Sequence, residues 1–226
     1  MKRFSSVALL VVGLLSCVFC GSVKAREARS HLSFYPVLYP DMTAELLMQI
    51  DNKLGKQLKE QNPLLRYVQT ATEDLSNNRA GVTFPALDAK DSAAVAQLLA
   101  LAQEKKYVKK GIHLVLGPDL TDTNLCAVYA LEVSDRYAIR QAFVTEVTKK
   151  KGLSGNPEIF VTMTQETARQ FAELTRVHLL KHIAICCGDE VFSVPRVVSP
   201  IDGGACAISV SSETEQARLY RLLTGE

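Results

Sequence analysis

Two short runs near the C-terminus of this chain are separated by a glycine-containing dipeptide. Residues 183–187 are all apolar, Gly188-Asp189 follows, and residues 191–194 form a second, mostly apolar run. Glycine reaches the positive φ angles that two-residue hairpin turns require, so the pattern predicts a β-hairpin. The first run has no polar residue and is therefore expected to be a buried strand that needs further elements around it.

The sequence around the hairpin supplies such elements. Residues 158–163 alternate in polarity and predict a strand, and residues 206–210 predict another. Thr164 is expected to cap a helix that runs to about residue 182, and Ser212 with Glu215 forms a capping box for a last helix. The inner faces of these two helices are predicted to carry Ala168, Phe171, Ala172, Thr175 and Leu179 in the first, and Ala217, Tyr220 and Leu223 in the second.

The first half of the chain also mixes helices and strands. Helices are predicted from Thr43 to about residue 59, and from Asp88 or Asp91 to about residue 106. Strands are predicted at 65–70, 81–84 (stopped by Pro85), 112–116 (closed by Gly117-Pro118), 126–133 and 142–148, with loops at 73–79 and 149–155. This order indicates an α+β fold of two small lobes, with helices packed on largely antiparallel sheets.

The N-terminus has the three parts of a secretory signal sequence. Lys2 and Arg3 precede an apolar run over residues 7–19, which is shorter than the ~20 residues of a bilayer-spanning helix. Cleavage after Ala25 fits the aliphatic Val23 and the small Ala25 at the −3 and −1 positions, whereas Leu14-Leu15-Ser16-Cys17 resembles the lipobox of lipoproteins and makes Cys17 a lipidation candidate. Both processing sites remain open, and an uncleaved leader that anchors the protein in the membrane is a third, less favoured option.

The net charge of the chain after the leader bears on whether the protein binds nucleic acid. Removing residues 1–25 takes away three basic residues and no acidic ones, which leaves 23 basic and 24 acidic residues. A nearly neutral body argues against nucleic-acid binding, which needs a basic face. The chain is divided provisionally into a signal sequence (1–25), a flexible tether (26–33) and two lobes (34–115 and 116–226).

Four cysteines follow the leader, namely Cys126, Cys186, Cys187 and Cys206. In an oxidising compartment a disulfide from Cys186 or Cys187 to Cys206 is one expectation, and buried free thiols are the other. Adjacent residues of a strand face opposite sides, so at most one of Cys186 and Cys187 is expected to point into the core.

The C-terminal motifs resemble the first periplasmic domain of SecD, a subunit of the bacterial Sec protein-export machinery. The likeness covers residues 164–225: Phe171-Ala172-Glu173-Leu174-Thr175, then the run from Ile183 to Pro195, then Pro200-Ile201-Asp202-Gly203-Gly204 and the final helix. The signature residues are Phe171, Thr175, Gly188, Asp189, Ser193, Pro195, Gly203 and Gly204. One departure is that the family usually has Asn-x-Gly-Lys after the first helix, where this chain has Val177-His178-Leu179-Leu180-Lys181. Residues 34–115 loosely resemble the family's base lobe, and residues 116–226 its head lobe.

The resemblance implies a non-catalytic exported protein. The expected partners are exported or unfolded polypeptides or Sec translocon components, bound by strand addition at a sheet edge near residues 196–199. The expected location is the periplasm, or the envelope membrane facing the periplasm if Cys17 is lipidated. The alternative is a structural envelope lipoprotein anchored through Cys17, with no role in translocation.

Enzymatic and metal-binding interpretations are weaker. His178 and His182 are four residues apart, but a third ligand and an HExxH motif are missing, so neither a metal nor another cofactor is expected. Cys186 and Cys187 lie in an apolar strand, which is unsuitable for a thiol nucleophile. Two lysine clusters, at 105–110 and 149–151, are interpreted as solvated surface rather than as contacts to anionic lipid. No catalytic residue is predicted.

Overall fold

The computed structural model describes residues 32–73, 82–119, 124–152 and 155–225. The four α-helices are α1 (Pro40–Leu58), α2 (Ser92–Glu104), α3 (Gln165–Val177) and α4 (Glu213–Thr224). The strands are β1 (Leu32–Pro36), β2 (Gln69–Glu73), β3 (Val82–Asp88), β4 (Ile112–Asp119), β5 (Leu125–Glu132), β6 (Val144–Lys151), β7 (Pro157–Met163), β8 (Ile183–Cys187), β9 (Glu190–Ser193) and β10 (Ala205–Ser209). Every strand pair in the described part of the chain is antiparallel, and the predicted α+β class is confirmed.

The first of two compact units comprises residues 37–134. Its sheet has the order β2-β3-β5-β4, and α1 and α2 contribute apolar side chains to its core. The core residues on the two helices are Leu47, Ile50, Leu54, Val95, Leu99 and Ala102. These residues recur at helical spacing, so each helix buries one apolar face.

The second unit comprises residues 32–36 together with 135–225. One sheet has the order β1-β8-β9 and the other has the order β10-β7-β6. Their apolar residues share one core with α3 and α4, to which these helices contribute Phe171, Leu174, Leu219 and Leu223. Strand β1 therefore comes from the N-terminal end of the described chain and completes the sheet of the hairpin predicted first.

The lobe boundary differs from the sequence expectation. Residues 116–134 belong to the first unit because β4 continues through Gly117 and Pro118 to Asp119 and β5 pairs with both β3 and β4. Residues 34–36 belong to the second unit because Leu32–Pro36 pairs along its whole length with β8. A Gly-Pro pair marks a β-bulge here rather than the end of a strand.

Several boundaries within the first unit also need correction. Helix α1 begins at Pro40, whose fixed φ suits a first helical turn, and Thr43 lies buried inside the helix instead of capping it. Strand β3 continues through Pro85, and the pairing of β3 with β5 begins only at Ala86. Asp91 occupies the position before α2 but makes no capping hydrogen bond. Most of the predicted loop at 73–79 lies outside the described residues.

In the second unit the hairpin prediction is confirmed at β8 and β9, with Gly188 at φ +63°. Thr164 Oγ1 accepts a hydrogen bond from Thr167 N, and Ser212 Oγ accepts one from Glu215 N, so both predicted helix caps are confirmed. Two predictions were wrong. Helix α3 ends at Val177 rather than near residue 182, and residues 149–151 are the end of strand β6 rather than part of a loop.

Candidate functional site

The chain after α3 leaves the helix abruptly and pairs with a distant segment. His178 occupies the position after the last helical residue, and its backbone N–H donates to Leu174 O. Leu180 N then donates to Val197 O at 2.7 Å, and Val197 N donates to Lys181 O at 2.8 Å. These long-range bonds fix residues 178–181 against the segment that follows β9.

Leu180 has a backbone conformation that is unusual for leucine. Its φ is +64°, in the left-handed region where a Cβ crowds the following carbonyl, at a cost of about 1–2 kcal/mol. Its carbonyl oxygen accepts a hydrogen bond from Arg196 Nε at 3.0 Å, which helps hold this conformation. Glycine reaches this conformation without that cost, whereas here the position carries a large apolar side chain.

Four large apolar side chains around this turn face solvent. Val177, Leu179, Leu180 and Val198 are 45%, 44%, 49% and 46% exposed, respectively. We name these four residues the α3 apolar surface. Clustered exposed apolar side chains are typical of interaction sites, whereas single ones are common anywhere on a protein surface.

An apolar hollow adjoins this surface within the second unit, and Val198 belongs to both. Its walls come from β1, α3, β8 and the segment after β9. The apolar lining residues are Phe34, Phe171, Ile183, Ile185, Pro195, Val197, Val198 and Ile201. Phe34 and Phe171 form its base, with ring centroids 4.7 Å apart.

Thr175 fixes one wall of the hollow. Its hydroxyl donates within α3 to Phe171 O at 3.0 Å, and it accepts from Ile201 N at 3.0 Å. Because Thr175 is fully buried, this bond satisfies an amide that water does not reach. Nearby, Arg176 and Asp202 form an exposed ion pair at 3.0 Å.

The predicted signature residues other than the glycines lie in two places. Phe171, Thr175 and Pro195 line the apolar hollow, and Pro195 O also accepts from Ile183 N at 3.0 Å. Ser193 ends β9, half-buried and opposite Ile185, and Asp189 is exposed in the hairpin turn.

The signature glycines play different parts. Gly188 and Gly204 both have positive φ, at +63° and +66°. A Cβ on Gly204 would lie 2.8 Å from Ala168 Cβ, whereas one on Gly188 or Gly203 would meet nothing within 4 Å. Gly204 therefore also allows a close approach of the chain to α3.

The histidine pair does not form the helical arrangement that its spacing suggested. Helix α3 ends before His178, whose Nδ1 hydrogen-bonds Leu174 O at 3.0 Å and whose Nε2 lies 3.7 Å from Asp135. His182 instead forms an isolated β-bridge with Arg196. Within the described residues no group of three potential metal ligands is present.

All four cysteines of the described chain are free thiols, so the expected bridge to Cys206 is not formed. Cys186 and Cys187 are 3% and 5% exposed, which corrects the expectation that one of them faces out. The reason is that β8 is a central strand, buried at every residue and so covered on both faces. Burial raises the pKa of Cys186 and of Cys206 to about 12, and that of Cys187 in the same direction, so these thiols are poor nucleophiles.

The leader candidates Cys17 and Ala25 lie outside the described residues. Among the residues that are described, no helix has the length and apolar character needed to cross a bilayer.

Sequence reasoning placed Val198 in the candidate partner-binding edge at 196–199, but it gave no surface role to Val177, Leu179 or Leu180. Leu179 was expected on the inner face of an extended α3, and Leu180 received no role. The available signal was the departure of residues 177–181 from the family's Asn-x-Gly-Lys, which places two adjacent leucines just beyond a helix.

Comparisons with known proteins agree on one family. Residues 129–224 match the model of the SecDF P1 head subdomain. The chain is 28% identical over 165 residues to the protein translocase subunit SecD of Rhodothermus marinus, covering 71% of this chain and 25% of that protein. It is 35% identical over 63 residues to the protein translocase subunit SecDF of Thermus thermophilus, covering 28% of this chain and 9% of that protein.

A solved structure, described as that of a membrane component SecDF that enhances protein export, is 16% identical with a TM-score of 0.34. That alignment covers 85% of this chain and 92% of the other. Both the identity and the TM-score are low, and the fold assignment rests on the chain's own strand pairing. The chain spans about a quarter of the length of the Rhodothermus relative. The likeness to the SecDF P1 head subdomain therefore covers residues 129–224.

Proposed function

We propose that this chain binds extended polypeptides on the periplasmic side of the envelope, in connection with protein export, and that the α3 apolar surface makes the contact. The head-like domain supports the link to export, because the relatives bear the names of protein translocase subunits.

The observation that carries the proposal is the exposed Leu180 in a left-handed turn. A half-exposed leucine gains little from folding, and this backbone conformation costs about 1–2 kcal/mol for any residue with a Cβ. Glycine or asparagine would form the same turn with less strain. Strained residues that gain nothing for the fold are typical of functional sites, and here the side chain offered is purely apolar.

The chemistry of the surface suits an unfolded chain. Unfolded polypeptides expose apolar side chains that folded proteins bury, and the four exposed residues of the α3 apolar surface can contact such side chains. Strand β9 is the terminal strand of the sheet β1-β8-β9, so its outer edge has backbone groups available for strand addition. The predicted edge at 196–199 is not a strand and forms a single bridge through Arg196, so we now place strand addition at β9.

Sec translocon components are the second class of partner in this proposal. A head-like domain held near the translocon would meet chains as they emerge, and attachment through a lipid on Cys17 or through an uncleaved leader would hold it there. The mass of the mature N-terminus tests this part. Processing at Cys17 with an added acyl mass, or retention of the leader, supports attachment, and a protein that begins at Arg26 contradicts it.

Site-specific photo-crosslinking tests polypeptide binding. A benzoylphenylalanine residue at Val198 should crosslink to newly exported polypeptides in cells. The same residue at Met48, which is 49% exposed and lies on α1 of the other unit, is the matched control. Crosslinks to exported chains from position 198 alone support the proposal, and equal yields from both positions or none from either would overturn it.

A further inference from the structure

Strand β6 is a sheet edge with an unusual concentration of positive charge. It is the terminal strand in the order β10-β7-β6 and, within the described residues, pairs only with β7. Its last three residues, Lys149, Lys150 and Lys151, are all exposed. In an antiparallel ladder every second residue of an edge strand directs its N–H and C=O away from its partner, so this edge can accept a further strand.

The three lysines are divided between the two faces of the sheet. Lys149 Nζ lies 4.3 Å from the ring centroid of Tyr220 on α4, and Lys151 Nζ lies 3.6 Å from Glu213 on the same helix. Lys150 Nζ lies on the other face, 4.0 Å from the ring centroid of Phe160 on β7. Both distances to rings are within the range of cation–π contacts, which hold the ammonium groups close to the sheet.

The backbone of this edge is fixed as well. Gln216 on α4 donates from Nε2 to Lys150 O at 2.9 Å and to Glu158 O at 2.8 Å, which ties β6 and β7 together. The ammonium groups are therefore presented from a strand whose position is already set, and a partner that binds here orders little of this surface.

We propose that the β6 edge binds an extended acidic segment by strand addition, with neighbouring acidic residues placed on opposite faces of the added strand. Successive side chains of a strand alternate between faces, so two adjacent carboxylates would meet Lys149 on one face and Lys150 on the other. The site is distinct from the α3 apolar surface and takes a partner of different chemistry.

The three lysines of β6 could have two other roles, namely protection of the edge against aggregation and binding to anionic lipid. Lysines on an edge strand commonly serve only to prevent aggregation through that edge. Anionic lipid would be met best by charges that face one plane, whereas these ammonium groups lie on two faces of one strand. The division between faces favours the acidic strand.

Fluorescence anisotropy with short labelled peptides tests the proposal on the mature protein. The probe is a ten-residue Thr/Val-rich peptide with two adjacent glutamates at its centre. The comparison probes carry two lysines instead, or carry the glutamates together with N-methyl groups on the amides of both backbone edges, which leaves neither edge able to pair. The variant K149T/K150T is compared with K149R/K150R and with K109T/K110T, which alters an equally exposed lysine pair in the other unit.

The expected result is salt-sensitive binding of the glutamate peptide only, weakened roughly tenfold by K149T/K150T and unchanged by K149R/K150R or K109T/K110T. Equal binding of the N-methylated peptide would overturn strand addition. Unchanged peptide binding in K149T/K150T would overturn the site, and self-association of that variant would then leave edge protection as the role. Lysine-dependent binding to phosphatidylglycerol vesicles without peptide binding would assign the edge to lipid instead.

Discussion

At the residue scale, the backbone and the side chain of Leu180 have different roles: the backbone forms a turn of the fold, and the side chain is half exposed. The turn needs a positive φ, held by hydrogen bonds from Leu180 N to Val197 O and from Arg196 Nε to Leu180 O. The side chain at this position contributes only part of its area to the interior. A change that keeps the turn but removes the side chain should therefore weaken binding with little effect on stability.

Leu180→Gly and Leu180→Val test the backbone strain. Glycine removes the left-handed penalty, so the free energy of unfolding of L180G should stay within about 1 kcal/mol of the original chain despite the lost side chain. L180V keeps an apolar group but is β-branched, and should lose more than about 1 kcal/mol. Urea denaturation measures both, and L180V more stable than L180G would contradict the interpretation.

Gly204 and Gly188 form a matched pair, since both have positive φ but only Gly204 has a close neighbour. Gly204→Ala should lose about 2 kcal/mol or more, because its Cβ would lie 2.8 Å from Ala168 Cβ, and Gly188→Ala about 1 kcal/mol. Thermal unfolding compares them. The Ala168→Gly change should recover part of the loss in the first variant and none in the second, and equal losses would contradict the close approach.

The buried thiols predict a loss of stability at alkaline pH. Burial raises the pKa of Cys186 and Cys206 from 9.0 to about 12, so the unfolded chain releases these protons first as the pH rises. Stability from this source is complete below pH 9 and is lost as the pH rises toward 12, by roughly 1 kcal/mol per thiol at pH 10. Urea denaturation at pH 8 and pH 10 should show a smaller pH dependence in C186A/C206A than in the original chain, and an identical dependence would contradict this.

At the element scale, the hydroxyl group of Thr175 links α3 to another segment of the second unit. Thr175 joins the helix to the segment after β9 by accepting from Ile201 N, and both residues are buried. Thr175→Val keeps the shape but leaves that N–H without an acceptor, which costs about 1–3 kcal/mol. Thr175→Ser keeps the hydroxyl and loses only a methyl group. Denaturation should rank T175V clearly below T175S, and the reverse order would show that packing alone matters.

The elements predicted well are those with local signals. Strand β8 followed from an uninterrupted apolar run and α4 from its capping residues, both of which act within a few positions of the chain. The end of α3 could not be predicted in this way. The helical spacing of apolar residues continues to Leu179, but the backbone after Val177 pairs with residues near Val197, and only the folded topology brings these together.

The same reason explains the missed strand end at Lys149–Lys151, where three lysines and a following glycine are typical of a loop. Pairing of Lys151 with Pro157 across the turn keeps them in the sheet. Only part of the candidate site could therefore be predicted from the sequence. Its buried walls followed from the family signature, and its exposed leucines depended on long-range pairing.

At the scale of the whole molecule, the residues that match the family model are not the same as the residues that form the second compact unit. The matched family region begins at residue 129, yet the second unit includes Leu32–Pro36, which pairs with β8 in continuous register. A fragment of residues 135–226 lacks this strand and the buried side chains of Leu32 and Phe34. It should therefore fold poorly by circular dichroism, and a separate peptide of residues 31–38 should restore the signal.

A Phe34→Ala change gives the same test within the intact chain. Phe34 is fully buried against Phe171, so F34A should lose about 3–5 kcal/mol from the second unit. Ser33→Ala, on the same strand outside the shared core, is the control and should lose much less. A small effect of F34A, or a stable 135–226 fragment, would show that β1 is dispensable.

The most direct test of the account is the affinity of the mature protein and of L180G for a permanently unfolded polypeptide, such as reduced and carboxymethylated α-lactalbumin. Removing a leucine that becomes buried on binding should weaken the complex roughly fivefold to tenfold. The predicted result is this loss of affinity in a variant that unfolds at nearly the same urea concentration as the original chain. Equal affinity of the two proteins would contradict the claim that the α3 apolar surface binds polypeptides.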